Sequence, residues 1–117
     1  MIINTPAQRL RIIIDETEKT GHTPLYEAIV HEARQAGLAG ATVWRGLMSY
    51  GHTSHIHTSK ILELASDLPI VVEMVDSADN IERFLPALAQ LFQQAGCDGL
   101  ITREDVQAIH FESNKSP

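Results

Sequence analysis

The chain has little sulfur and few cations. One cysteine, Cys97, stands alone among 117 residues. It has no partner for an intrachain disulfide, and no Cys pair marks a structural zinc site. Lys and Arg number nine against 15 Asp and Glu, giving a net charge of −6. Nucleic-acid binding depends on clustered cations that neutralise phosphates. The basic residues here are scattered from Arg9 to Lys115, so DNA and RNA are not expected partners. A small anion is a different matter, because two or three local donors suffice to hold one. No apolar run approaches the length of a membrane span, and Met1–Arg11 lacks the basic-then-apolar layout of a signal peptide. A reduced, cytoplasmic setting is the expectation. Walker-type GxxxxGK[ST] and strand-linked GxGxxG loops are also missing.

What is present suits a globular domain. Hydrophobic residues make up 44% and charged residues 21%, ordinary proportions for a packed core. The length fits one domain, 1–117, with a core over about 8–111 and a flexible polar tail over 112–117. A domain this small buries a limited share of its surface and would gain from oligomerisation.

Residues 1–7 read as a loose lead-in. From Gln8 to Asp15, Leu10, Ile12 and Ile14 alternate with Arg9, Arg11 and Ile13, which is strand periodicity. The polar stretch Glu16–His22 reads as a loop. Thr23 as N-cap and Pro24 at the first helical position open a helix over about 24–36. Its apolar stripe is Leu25, Ala28, Ile29, Ala33 and Ala36, with Gly37 at the C-terminal cap. Residues 41–48 carry apolar side chains on both faces, as a strand covered on both sides does. Residues 49–68 are irregular, polar and His-rich at first. The β-branched run 70–75 predicts a strand. Asp76 or Ser77 caps a second helix striped by Ile81, Phe84, Leu85, Leu88, Leu91 and Phe92. Interior Pro86 predicts a bend near 82–86, or two helical pieces. Gly96 ends that helix, Asp98-Gly99 turns, and a last strand alternates through Val106–Phe111. The order βαββαβ is the ferredoxin-like signature: an α+β fold with a four-stranded antiparallel sheet and two helices on one face.

Several motifs then fall in sequence: Pro24–Val30, Ala36–Val43, Arg45-Gly46, Gly51, Ile56-His57-Thr58, Asp67–Asp76 and Gly99–Val106. Together they resemble the PII-like family known as domain of unknown function 190, over roughly residues 8–111. That resemblance implies ferredoxin-like subunits in a homotrimer whose sheets face a common centre. In PII proteins proper, it further implies adenine nucleotides in the clefts between subunits. A loop after the second strand would contact a membrane transporter or other regulatory target. The 49–68 segment departs from that pattern. It lacks the loop motif with a modifiable tyrosine, and Tyr50 is no substitute, so uridylylation is not carried over.

Candidate chemistry gathers around that segment. His52, His55 and His57 fall within six residues, and a His-x-His pair on an extended strand could begin a Zn, Ni or Cu site. The alternative is a polar loop that happens to be rich in histidine. Arg45, between apolar Val43 and Leu47, could grip a phosphate or carboxylate through its planar fork. It could equally pair with Glu73 on the neighbouring strand. Gly46 and Gly51 flank the loop base and would allow close backbone approach. Ser54, His57 and Thr58 would donate hydrogen bonds to a ligand. The acidic group Asp15, Glu16 and Glu18 reads as a solvated loop; it could also hold a hard cation, but it lacks EF-hand spacing. No nucleophile elbow appears and Cys97 has no adjacent His, so an enzyme is not the favoured reading. A ligand-sensing trimer, a metal module and a small-molecule enzyme remain as hypotheses. A further expectation is that trimer formation buries Trp44, Met48, Ile70, Val72 and Met74 on the open sheet face, and that residues 49–60 become ordered on binding.

Overall fold

The computed structural model describes residues 1–50, 56–58 and 68–113, with 48–50 and 56–58 described as backbone. Strand β1 runs Ile2–Asp15, and a miniature hairpin pairs β2 (Lys19–Thr20) with β3 (Thr23–Pro24). Helix α1 (Leu25–Gln35), strands β4 (Thr42–Arg45), β5 (Met48–Tyr50), β6 (Ile56–Thr58) and β7 (Pro69–Asp76), helix α2 (Ala78–Ala95) and strand β8 (Leu100–Phe111) follow. The main sheet has the order β4-β7-β1-β8 and every pairing is antiparallel. This is the ferredoxin-like α+β arrangement expected from the element order.

Alternation along the strands decides which side chains meet the helices. Leu10, Ile12 and Ile14 of β1 and Ile70, Val72 and Met74 of β7 are buried together with Leu25, Ile29 and Ala33 of α1 and Ile81, Phe84 and Leu88 of α2. Each fully buried aliphatic or aromatic side chain contributes about 1.5–3 kcal/mol, so this single layer between sheet and helices is the main source of stability. Ile70, Val72 and Met74 therefore lie under the helices and not on the open face. Cross-strand register places Trp44, Val71, Val75, Ile13 and Leu100 on the open face instead.

Five local expectations are corrected. The lead-in is strand: Ile2–Ala7 pairs with Val106–Phe111. Pro6 sits where β1 has a neighbour on one edge only, the setting in which a sheet tolerates proline. Thr23 does not cap α1. It pairs with Thr20, and Pro24 takes the cap position without a side-chain hydrogen bond. The strand expected over 41–48 stops at Arg45, and the segment expected to be irregular contains part of an antiparallel pair, β5 with β6. Finally, α2 runs through Pro86 as one helix of 18 residues. Buried Ile81 and Phe84 before the proline and Leu88 after it share one core. That packing outweighs the roughly 3 kcal/mol that an interior proline costs. Ser77 is the N-cap and accepts from the Asn80 amide at 3.2 Å, and Gly96 closes the helix with φ +64°.

Candidate functional site at the base of the 46–68 connection

One end of the sheet gathers the end of β1, the end of β4, the start of β7 and the start of β8, as the antiparallel register requires. The 46–68 connection leaves the body from this end and returns to it. Both of its legs are fastened by backbone bonds. Gly46 N–H donates to the Pro69 carbonyl at 2.8 Å, and Glu16 N–H donates to the Leu68 carbonyl at 2.9 Å. Gly46 is needed for fit, since a Cβ there would stand 2.7 Å from Pro69 Cγ. Its amide is spent on Pro69, so its contribution at this site is close packing.

Arg45 ends β4 opposite Ile70. Its partner is Glu16, the first residue past β1: Arg45 Nη2 donates to Glu16 Oε2. The expected pairing with Glu73 is replaced, because Glu73 lies on the open face, where Arg11 Nε and Nη2 donate to its Oε2 at 2.8 and 2.6 Å. Arg45 keeps 56% of its side chain exposed, whereas Glu16 keeps 15%. Glu16 Oε1 is buried and finds no hydrogen-bond partner among the described residues. The turn that carries Glu16 is well braced. Asp15 Oδ1 accepts from the Thr17 amide at 2.9 Å and its hydroxyl at 2.8 Å, and the Leu25 amide donates to the Glu18 carbonyl at 2.8 Å. Glu16 is thus a mostly buried ion-pair partner rather than a solvated loop residue.

His57 lies opposite Ser49, and Thr58 opposite Met48, in the β5–β6 pair. Gly51, His52, Ser54 and His55 lie outside the described residues. Among the described residues no group of three or more His, Cys, Asp or Glu could hold a metal; of the proposed histidine set, only His57 is one of them. Cys97 sits at the same end of the sheet, after α2. Burial first, and then the charge and hydrogen bond of Glu18 with the charges of Asp98 and Asp15, push its thiol up to about 11. It stays protonated near neutrality and is a poor nucleophile. A separate shallow cavity of about 250 Å³ lies between the end of α1 and the turn before β4, lined by Val30, Ala33, Leu38 and Ala41 with Arg34. It is at the opposite end of β4 from Arg45.

The sequence singles out Arg45, but places Glu16 in a solvated acidic loop and not beside Arg45. The only available signal was a carboxylate directly after a strand that ends beside the last residue of another.

The ferredoxin-like α+β fold, with its loop base at one end and a partly apolar open sheet face, is shared with solved PII-like proteins. The nitrogen regulatory PII-like protein CPII from Thiomonas intermedia K12, solved bound to ADP, AMP and bicarbonate, is similar in fold. Its TM-score is 0.69 at 18% identity, covering 91% of each chain. The chain belongs to the DUF190 family, described as "Uncharacterized ACR, COG1993", whose model matches residues 7–108. It is 40% identical over 101 residues to a UPF0166 protein of Aquifex aeolicus, covering 86% of this chain and 91% of that one. It is 32% identical over 90 residues to a UPF0166 protein of Methanocaldococcus jannaschii, covering 77% and 82%. Among the described residues no helix is long and apolar enough to cross a membrane.

Proposed function

We propose that this chain is a cytoplasmic ligand-sensing regulator, not an enzyme. In this reading it binds an adenine nucleotide or similar small anion in the clefts of a homotrimer and acts on a membrane transporter or other target. The observation that carries the reading is Arg45, a half-exposed guanidinium fixed where the 46–68 connection joins the body. A guanidinium held this way meets a phosphate with its planar fork. CPII, similar in fold, is a PII-like protein bound to ADP and AMP, which supports the same ligand class. The ligand would meet Arg45 at the loop base, with Gly51, Ser54, His57 and Thr58 as further contacts and Gly46 holding the leg in place.

The test is a titration of the metal-free protein with ATP, ADP, AMP and cyclic dinucleotides, with and without zinc. Saturable binding of an adenine nucleotide is expected, and His57→Ala should weaken it roughly tenfold to a hundredfold, the effect of losing one charge-assisted contact. No binding at millimolar concentration sinks the reading. Binding of zinc alone moves the weight to a metal module built on His52, His55 and His57.

A further inference from the structure

Arg45 already holds an anion, and that anion belongs to the chain. Glu16 occupies one terminal nitrogen of the guanidinium through Oε2. Its own second oxygen is buried without a donor among the described residues. A carboxylate in that condition is poorly served. It has lost most of its water, at 15% exposure of the side chain, and has one charged partner in return. The guanidinium presents five N–H donors, so it can turn a fuller set toward an anion that comes from solvent.

We infer that Glu16 is a resident anion on Arg45 that an incoming phosphate group must displace, so that Glu16 sets the affinity of the loop base and selects doubly charged phosphates over singly charged carboxylates. This rests on the ligand reading above. A neutral ligand gains nothing by entering, since Arg45 would lose a charge–charge contact for none. A carboxylate exchanges like for like and leaves Glu16 to repel it. A phosphate brings about two charges and three acceptor oxygens, enough to use the fork in full. The exchange also has a mechanical consequence. Glu16 N–H is bonded to the Leu68 carbonyl on the return leg of the connection, so release of the Glu16 side chain acts on the residue that anchors that leg.

The experiment compares the parent, Glu16→Gln, Glu16→Asp and the double variant Glu16→Gln/Arg45→Gln by calorimetric titration with ADP and with inorganic pyrophosphate. Thermal melting checks that each is folded. Glu16→Gln should bind both probes about tenfold more tightly, equivalent to about 1.4 kcal/mol, and the double variant should lose the gain. Glu16→Asp, which keeps the charge and shortens the reach, should gain less. It gives the same direction of answer if the Gln variant does not fold. If the parent binds ADP and the Glu16 variants bind it no better, this inference is overturned and the nucleotide reading stands. If ADP is ignored by every protein but pyrophosphate binds the Glu16 variants more tightly, the nucleotide reading falls and the resident anion stands. If neither probe binds any of the proteins, both are overturned.

Discussion

At the level of single residues, the end of the sheet that carries the candidate site tolerates little added volume. A Cβ on Gly99 would stand 2.5 Å from Phe92 Cε1, 2.8 Å from Cζ and 3.0 Å from Ile14 Cγ2. Phe92 packs on the core and Ile14 is buried, so neither can withdraw freely. Gly99→Ala should destabilise the protein by about 1–3 kcal/mol, the usual range for overpacking. That corresponds to a melting temperature lower by several degrees. An unchanged melting temperature would show that the Phe92 ring swings clear at no cost. The open face shows a different use of single residues. Arg11 with Glu73, and Arg9 with Glu104 at 2.6 Å, form ion pairs across neighbouring strands. Such cross-strand pairs contribute modestly when exposed, and they set the polar character of an otherwise apolar patch.

Between elements, the carboxylate of Asp76 joins the turn after α1 to the start of α2. It accepts from the Ala39 amide at 2.8 Å, the Ser77 amide at 2.7 Å and Asn80 Nδ2 at 2.8 Å. Burial by itself would raise its pKa. The donors from Asn80, Ala39 and Ser77, with the charge of Arg83, outweigh burial and hold it below the usual carboxylate value. A group whose pKa is depressed in the folded state contributes stability above its unfolded pKa, near 3.9, and loses it as pH falls through the folded value. Asp76→Asn should therefore be less stable than the parent at pH 7, by about 1–2 kcal/mol for weakened bonds to a charged acceptor. The gap should close as the pH is taken below about 4. Denaturant unfolding at a series of pH values measures it, and a gap that stays constant down to pH 2 would assign the loss to shape rather than charge.

For the whole molecule, the open sheet face is the feature that a lone subunit leaves unexplained. Trp44 is 43% exposed, Val75 37% and Leu100 59%, with Val71 and Ile13 beside them in the register. Soluble monomers seldom leave such patches uncovered, and a closed cyclic assembly would bury this one. In the proposed trimer, Leu100→Glu introduces a charge at the seam without touching the core beneath the helices. Sedimentation equilibrium should find the parent at three times the subunit mass and the variant at the subunit mass, with nearly the same circular dichroism. A parent that stays monomeric at micromolar concentration removes the trimer from the proposal.

The order of the four main-sheet strands and the two helices, and the family, were legible from the chain alone, because local periodicity is a property of neighbours in sequence. Alternation in Gln8–Asp15, the stripe of α1 and the β-branched run at 70–75 each needed a short window. Ser77 and Gly96 marked the ends of α2 by capping chemistry that is equally local. Tertiary structure decided whatever depended on distant partners. Ile2–Ala7 is strand because Val106–Phe111 lies beside it, and no local pattern in Asn4-Thr5-Pro6 announces that. Pro86 stays inside one helix because the core holds α2 on both sides of it. That Ile70, Val72 and Met74 face the helices is a tertiary fact, because alternation separates two sets of residues without saying which set the helices will cover. Arg45 could be singled out as a charge in an apolar strand, but its partner could not. Glu16 and Arg45 are 29 positions apart, and they meet because antiparallel pairing through β7 brings the ends of β1 and β4 to the same end of the sheet.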